Sequence, residues 1–309
     1  MTITNKVAIL LCTYNGNKFL RQQLDSIFNQ LYTNWVLYVS DDGSTDGTQD
    51  ILLEYQEKYG EEKVAILKGP GKGFAWNFVN LLEQCGSGYS YYAFSDQDDE
   101  WMPNKISDAV SFLEQKPTDI PTVHCGRTLL IDENSNPIGL SPLFNKKPSF
   151  RNALVQSIAG GNTMVINDKA RDLIIKTKKW DDIISHDWWI YILITGCGGS
   201  VYYCENPTLR YRQHSLNIIG SNTTMSARFI RIKKLMDGHF KVWNEKNIKL
   251  LSSFSNTLTN ENAVIFKQFI KARNAGFLSR VRAFSGMKLY RQTGFGNAGL
   301  IIAVLLKKL

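Results

Sequence analysis

The chain of 309 residues is predicted to be an α/β protein with a Rossmann-like central sheet flanked by helices. Three observations predict this. Strand and helix patterns alternate four times over the first 115 residues, the order expected of a doubly wound sheet with right-handed crossovers. Three polar turns, "TYNG", "SDDGS" and "SDQDD", each follow an apolar run, which places them at strand carboxyl ends. Folds of this kind bind their ligands along that edge. The composition, 43% hydrophobic and 21% charged, is enough for a sizeable core.

The elements follow in order. "KVAILLC" is a buried strand bounded by "TYNG". "NKFLRQQLDSIFNQ" carries apolar residues at 19, 20, 24, 27 and 28, a helical spacing. "WVLYVS" is a second strand, stopped by "DDGSTDGT", whose Asp42, Ser44 or Asp46 can cap the helix "TQDILLEYQEKY". "KVAILK" is a third strand. "GPGKG" breaks it before the helix "FAWNFVNLLEQC". "YSYYAF" is a fourth strand, and Pro103 suits the first turn of a helix "PNKISDAVSFLEQ". Beyond residue 120 the pattern loosens. "TVHCGRTLLID", "GGNTMVIN", "GSVYYCE" and "TLRYRQH" read as strands, and "SHDWWIYILIT" as a buried helix capped by Ser185. From about 223 strands disappear, and two basic amphipathic helices, "TTMSARFIRIKKLMDGHFKVW" and "FLSRVRAFSGMKLYRQTG", follow. The expected division is a catalytic unit over 1–222 (halves 1–115 and 116–222) and a helical region over 223–309.

A net charge of +8 favours an anionic partner without choosing among nucleic acid, membrane and phosphorylated ligands. No nucleic-acid-binding signature is present. The first residues read as a strand rather than a signal peptide. The apolar run "GLIIAVLL" is far below the ~20 residues that span a bilayer. Five scattered cysteines without C-x-x-C argue against a disulfide scaffold or structural zinc, and fit a reducing cytosol.

"FSDQDDEW" ends the fourth strand with four carboxylates. Asp96 and Asp98, spaced D-x-D, suit a cage for Mg²⁺ or Mn²⁺ completed by diphosphate oxygens; the bland alternative is a solvated loop. In the other two turns, Asp41 or Asp42 can accept a base imide or ribose hydroxyl, and Thr13, Tyr14 and Asn15 can line a nucleotide pocket. "GPGKG" lacks the phosphate-loop spacing and reads as a structural turn. "RYRQH" places Arg210, Arg212 and His214 on one strand face, suited to a diphosphate or metal–phosphate group, or to a polar outer face. Asp187, at a helix start, is open to two opposite influences. Burial beside tryptophans raises a carboxyl pKa, while a first-turn position lowers it.

The turns in this order, "VAILLCTYNG…WVLYVSDDGSTDGT…FSDQDDEWMPNK", resemble the inverting family 2 nucleotide-sugar glycosyltransferases of the GT-A fold. The resemblance is strongest over 5–115 and continues through "GGNTMVIN", "SHDWW" and "YRQHSLN". "FSDQDDEW" is most similar to bacterial rhamnosyltransferases of cell-wall, capsule or O-antigen assembly. The resemblance implies a metal-dependent enzyme that moves L-rhamnose from dTDP-L-rhamnose, or alternatively a hexose or N-acetylhexosamine from a UDP-sugar, to a lipid-linked saccharide. A non-catalytic nucleotide-binding relative is a further alternative. It implies nucleotide contacts from Thr13, Tyr14, Asn15, Asp41 and Asp96, metal contact from Asp98 and His214, and diphosphate contact from Arg212. Asp187 would be the general base, with Gly160, Gly161, Asn162 and Trp188 on the acceptor side. The implied place is the inner face of the plasma membrane.

Overall fold

A computed structural model describes residues 5–158, 160–177, 183–214 and 237–309. Its centre is a seven-stranded mixed sheet in the order β10-β6-β9-β4-β1-β2-β3. The strands are β1 (Val7–Thr13), β2 (Trp35–Asp41), β3 (Val64–Lys68), β4 (Tyr91–Ser95), β6 (Thr122–Gly126), β9 (Val165–Asn167) and β10 (Ser200–Cys204). All neighbours run parallel except β9, which is antiparallel to both β4 and β6. A second sheet, β5-β11-β7-β8, is built from β5 (Glu100–Trp101), β7 (Leu129–Ile131), β8 (Pro137–Leu140) and β11 (Leu209–Arg212).

The first half matches the predicted alternation. Helices α1 (Asn17–Phe28), α2 (Thr48–Tyr59), α3 (Phe74–Gln84) and α4 (Lys105–Leu113) fill the crossovers. Every residue of β1 is buried because both sheet faces are covered. α4 begins two residues later than expected, at Lys105, with Pro103 and Asn104 in the preceding turn. "TVHCGRTLLID" is two strands in two sheets. β6 joins the large sheet and β7 turns away to pair with β11.

Four short elements before residue 215 escape the sequence reading, β5, β8, α5 (Phe150–Ala153) and α6 (Asp168–Ile174), and so do two of the C-terminal helices, Asn260–Asn274 and Gly294–Leu305. Helix α7 (His186–Gly196) is capped as predicted, Ser185 Oγ accepting the Trp188 amide.

The C-terminal helices α8 (His239–Ser252), α9 (Asn260–Asn274), α10 (Phe277–Met287) and α11 (Gly294–Leu305) share a hydrophobic core with the large sheet and α7. Phe240 stacks on Trp188 and Phe254 meets Trp189 edge-on. Asn262 donates to the carbonyls of Thr195 and Gly196 at the end of α7. Of the first expected basic helix, residues 223–236 lie outside the described residues. Its Phe240 packs inward. The second expected helix stops at Met287, where Lys288 turns left-handed (φ 51°). No helix among the described residues is long and apolar enough to cross a membrane.

Candidate functional site

Strand register brings the three polar turns together. Thr13 pairs with Asp41, and Leu11 pairs with Ser95, so Asp96 emerges beside the end of β1. Side chains then join the turns. Thr13 Oγ1 donates to Asp41 Oδ1 at 2.9 Å, the Asn15 amide donates to Ser44 Oγ, and Asn15 Oδ1 accepts the Thr45 amide. Asn15 itself is left-handed (φ 47°), a conformation asparagine tolerates better than most residues. Gln97, between the two aspartates of D-x-D, is bonded to Tyr14 in both directions. Its Oε1 accepts the Tyr14 amide at 2.8 Å and its Nε2 donates to the Tyr14 carbonyl at 3.0 Å. The Tyr14 side chain is left 59% exposed at the mouth of this junction.

Asp41 is buried, which pushes its carboxyl pKa up. Hydrogen bonds from Ser44, Gln49 and Thr13 outweigh that and hold it below the ordinary range. Asp42 does different work. Its oxygens accept the amides of Gly71 and Gly73, so the "GPGKG" loop cradles the protein's own carboxylate and is the structural turn expected. Asp46 accepts the backbone amide and hydroxyl of Thr48 at the start of α2, but the N-cap position falls on Gly47 rather than on any of the three expected residues.

The four carboxylates after β4 have separate fates. Glu100 receives Arg210 Nη1 at 2.8 Å and Arg212 Nη2 at 2.6 Å. Asp99 is fully buried, accepts Asn162 Nδ2 at 2.6 Å and the Arg212 amide, and lies close enough to the buried Lys105 to act on its charge. Burial and the neighbouring Asp98 and Asp96 raise the Asp99 carboxyl well above the usual range. Burial pulls the Lys105 ammonium down to about 8, against the opposing pull of Asp99. Asp98 Oδ2 meets His214 Nε2 at 2.7 Å. Asp96 is pushed upward by burial and by the charges of Asp98 and Asp187.

Asp187 follows His186, whose ring packs 5.6 Å from that of Phe94, two residues before Asp96. Burial raises the Asp187 carboxyl, opposed by the Ser185 hydroxyl and the Trp188 amide. Of the two influences left open by the sequence, burial wins. Behind Asp187, His186 is enclosed by Phe74, Phe78 and Phe94, and neither ring nitrogen has a hydrogen-bond partner. Burial alone lowers its pKa to about 3, so the imidazole is neutral. Gly161 lies directly against that ring. A Cβ at 161 would fall on the imidazole.

Three of the expected site residues are engaged within the protein instead. Arg212 is not available to a diphosphate: its side chain is wholly buried and its guanidinium donates to Asp98 O, Asp132 O, Glu133 O, Ser135 Oγ, Gln22 Oε1 and Glu100. Trp188 does not face the acceptor side. It is 6% exposed, its Nε1 donates to Ala153 O, and its ring stacks on Phe240. Asn162 is likewise turned inward to Asp99, while Gly160 remains exposed and Gly161 supports His186. Sequence reasoning missed Gln97, Glu100 and Lys105. The one available signal was the acidic run opposite two arginines at alternate positions.

Among the described residues, no three His, Cys, Asp or Glu side chains converge as a complete metal cage. The adjacent Asp98 carboxylate and His214 imidazole, with Asp96 two residues before Asp98, still form a donor set suited to a divalent cation that takes its remaining ligands from phosphate.

A mixed sheet with polar turns and carboxylates gathered along one edge is the arrangement of a ligand-binding α/β protein. The chain belongs to the Glycosyl transferase family 2, whose pattern matches residues 8–171. It is 30% identical over 239 residues to a dTDP-rhamnosyl transferase, RfbG, of Shigella flexneri, covering 72% of this chain and 78% of that one. It is 25% identical over 286 residues to an uncharacterized glycosyltransferase of Rickettsia typhi, covering 86% and 81%. Among solved structures, S. aureus TarS residues 1–349 in complex with UDP superposes with a TM-score of 0.55 at 15% identity, covering 98% of this chain and 90% of that one. The Pyrobaculum calidifontis mannosyltransferase PcManGT, in complex with GDP-Man and Mn²⁺, gives 0.52 at 16% identity, covering 99% and 86%.

Proposed function

We propose that this glycosyltransferase moves L-rhamnose from dTDP-L-rhamnose to a hydroxyl of a lipid-linked saccharide, with inversion at the anomeric carbon, in bacterial surface polysaccharide assembly. The observation that carries the mechanism is the half-buried Asp187 carboxylate, raised in basicity and set against the D-x-D turn. The 30% identity to a protein named as a dTDP-rhamnosyl transferase supports the donor.

In this reading Thr13, Tyr14, Asn15 and Asp41 hold the nucleoside, with Asp96 beside it. Asp98 and His214 hold Mg²⁺ or Mn²⁺, which when bound neutralises the diphosphate. Asp187 takes the proton from the acceptor hydroxyl. The oxygen forms a bond to the anomeric carbon from the face opposite the diphosphate. The carbon–oxygen bond to the diphosphate breaks, and its electron pair leaves with the nucleoside diphosphate. Gly160 and Gly161 border the acceptor side. Arg212 acts through Glu100 and the backbone of Asp98, not on the donor. The catalytic unit is taken as 1–222, because every residue given a role lies within it. The enzyme acts at the inner face of the plasma membrane, where a lipid-linked acceptor is presented.

The test is donor binding and hydrolysis with Mg²⁺ or Mn²⁺ across dTDP-rhamnose, UDP-glucose, UDP-galactose and UDP-N-acetylglucosamine. Metal-dependent selection of dTDP-rhamnose is expected. Preference for a UDP-sugar overturns the rhamnose assignment and leaves the mechanism. Turnover unaffected by chelation removes the metal from it.

A further inference from the structure

We propose that the outward face of helix α11 docks on an anionic lipid bilayer, lying in the plane of the surface. This deepens the membrane placement above and rests on it, but its readout requires no sugar transfer.

Helix α11 differs from an ordinary surface helix in being apolar on both its inner and its outer face. Its inward residues are Leu300, Ala303 and Val304. Its exposed residues recur at helical spacing, and all of them are apolar: Phe295, Ala298, Ile301, Ile302, Leu305 and, just past its end, Leu306. Phe295 and Ile301 are about three-fifths exposed, at 61% and 60%. A stable water-facing helix places polar side chains there, and a contiguous exposed apolar surface marks a contact site.

The patch extends beyond one helix. Arg280, in α10, donates to the carbonyls of Val304 and Leu305, so the start of α10 lies against the end of α11. That start carries Phe277 and Leu278, the latter 81% exposed.

Charge selects the partner. After Glu261 the remaining 48 residues contain nine Lys and Arg and no Asp or Glu. Lys307 directly follows the apolar face and is exposed, as are Arg282 and Lys288 on α10 and just beyond it. Apolar side chains bordered by cations match the acyl and headgroup layers of an anionic leaflet. A second copy of this face would bring the same cations together with no carboxylate from this region to balance them. The helix has 12 residues, about 18 Å long, against a hydrocarbon core of roughly 30 Å, so it lies in the surface rather than crossing it.

Full-length protein is sedimented with phosphatidylcholine vesicles, with and without phosphatidylglycerol. Binding to the anionic vesicles is expected, weakened at least about tenfold by the combined variant Ile301→Ser, Ile302→Ser and Leu305→Ser. Lys307→Gln and Lys308→Gln are each expected to weaken it about fivefold. All five sites lie on the outer helix surface or chain end, and near-ultraviolet circular dichroism checks that the fold persists. Three outcomes overturn the proposal. The intact protein stays in the supernatant, or the triple variant pellets unchanged, or lipid-free protein forms a dimer that the triple variant dissolves, showing that a second copy covers the face. Failure of the rhamnose reading leaves the vesicle result unaffected.

Discussion

Asp96 and Asp98 differ from Asp99 and Glu100, although one short turn carries all four. In the second pair Glu100 is neutralised by Arg210 and Arg212, and Asp99 is enclosed, bonded to Asn162 and the Arg212 amide, where burial favours its protonated form. The first pair is left with His214 on one side and the repulsion of Asp187 on the other. Charge that the fold balances supports the fold. Charge that it leaves unbalanced is poised for something that arrives later.

Substitutions can break this contrast. The largest expected effect is on rate. Asp187→Asn lowers kcat by about 10²–10⁴ with donor KM unchanged, read by steady-state assay. Because burial raises the Asp187 carboxyl, wild-type activity falls on acidification at a pH above the ordinary carboxylate value of about 4, and a pH–rate profile locates that limb. On the balanced side, Arg212→Ala leaves Glu100 short of its buried partner and should cost about 3–5 kcal/mol of stability in urea unfolding.

Asp96→Asn sharpens the contrast in the opposite direction. A raised carboxyl pKa means that the fold favours the protonated form. The stability this confers is complete below the unfolded value of about 4, and it is lost as pH rises through the folded value. The asparagine variant should therefore melt about 2 °C higher at pH 7, roughly 1 kcal/mol, converging with wild type near pH 4, while donor binding weakens. The smallest effect is expected of Arg210→Ala, whose partly exposed pair with Glu100 contributes about 0.2–1 kcal/mol, measured by thermal melting.

The first 115 residues were legible because their strands are long apolar runs whose ends coincide with polar turns. The small second sheet was not. β5 has two residues and β8 is exposed throughout, so neither carries a periodicity; β5 exists through pairing with the distant β11, and β8 through a hairpin with β7. The same limit explains Arg212. Alternation in "RYRQH" correctly put its cations on one face, but local sequence does not reveal that Glu100 lies opposite Arg210 in an antiparallel pair. Asp187 was singled out as a base by resemblance alone, and its burial comes from the packing around α7. Trp188 was misplaced for a related reason. Phe240, 52 positions further along the chain, covers its ring.

The contact between Gly161 and His186 has a consequence for how this sequence can drift. The imidazole occupies the space that any side chain at 161 would need, so the two positions are coupled in volume. Relatives that carry alanine at 161 should carry something smaller than histidine at 186. A side chain introduced at 161 alone displaces His186, the neighbour of the proposed base.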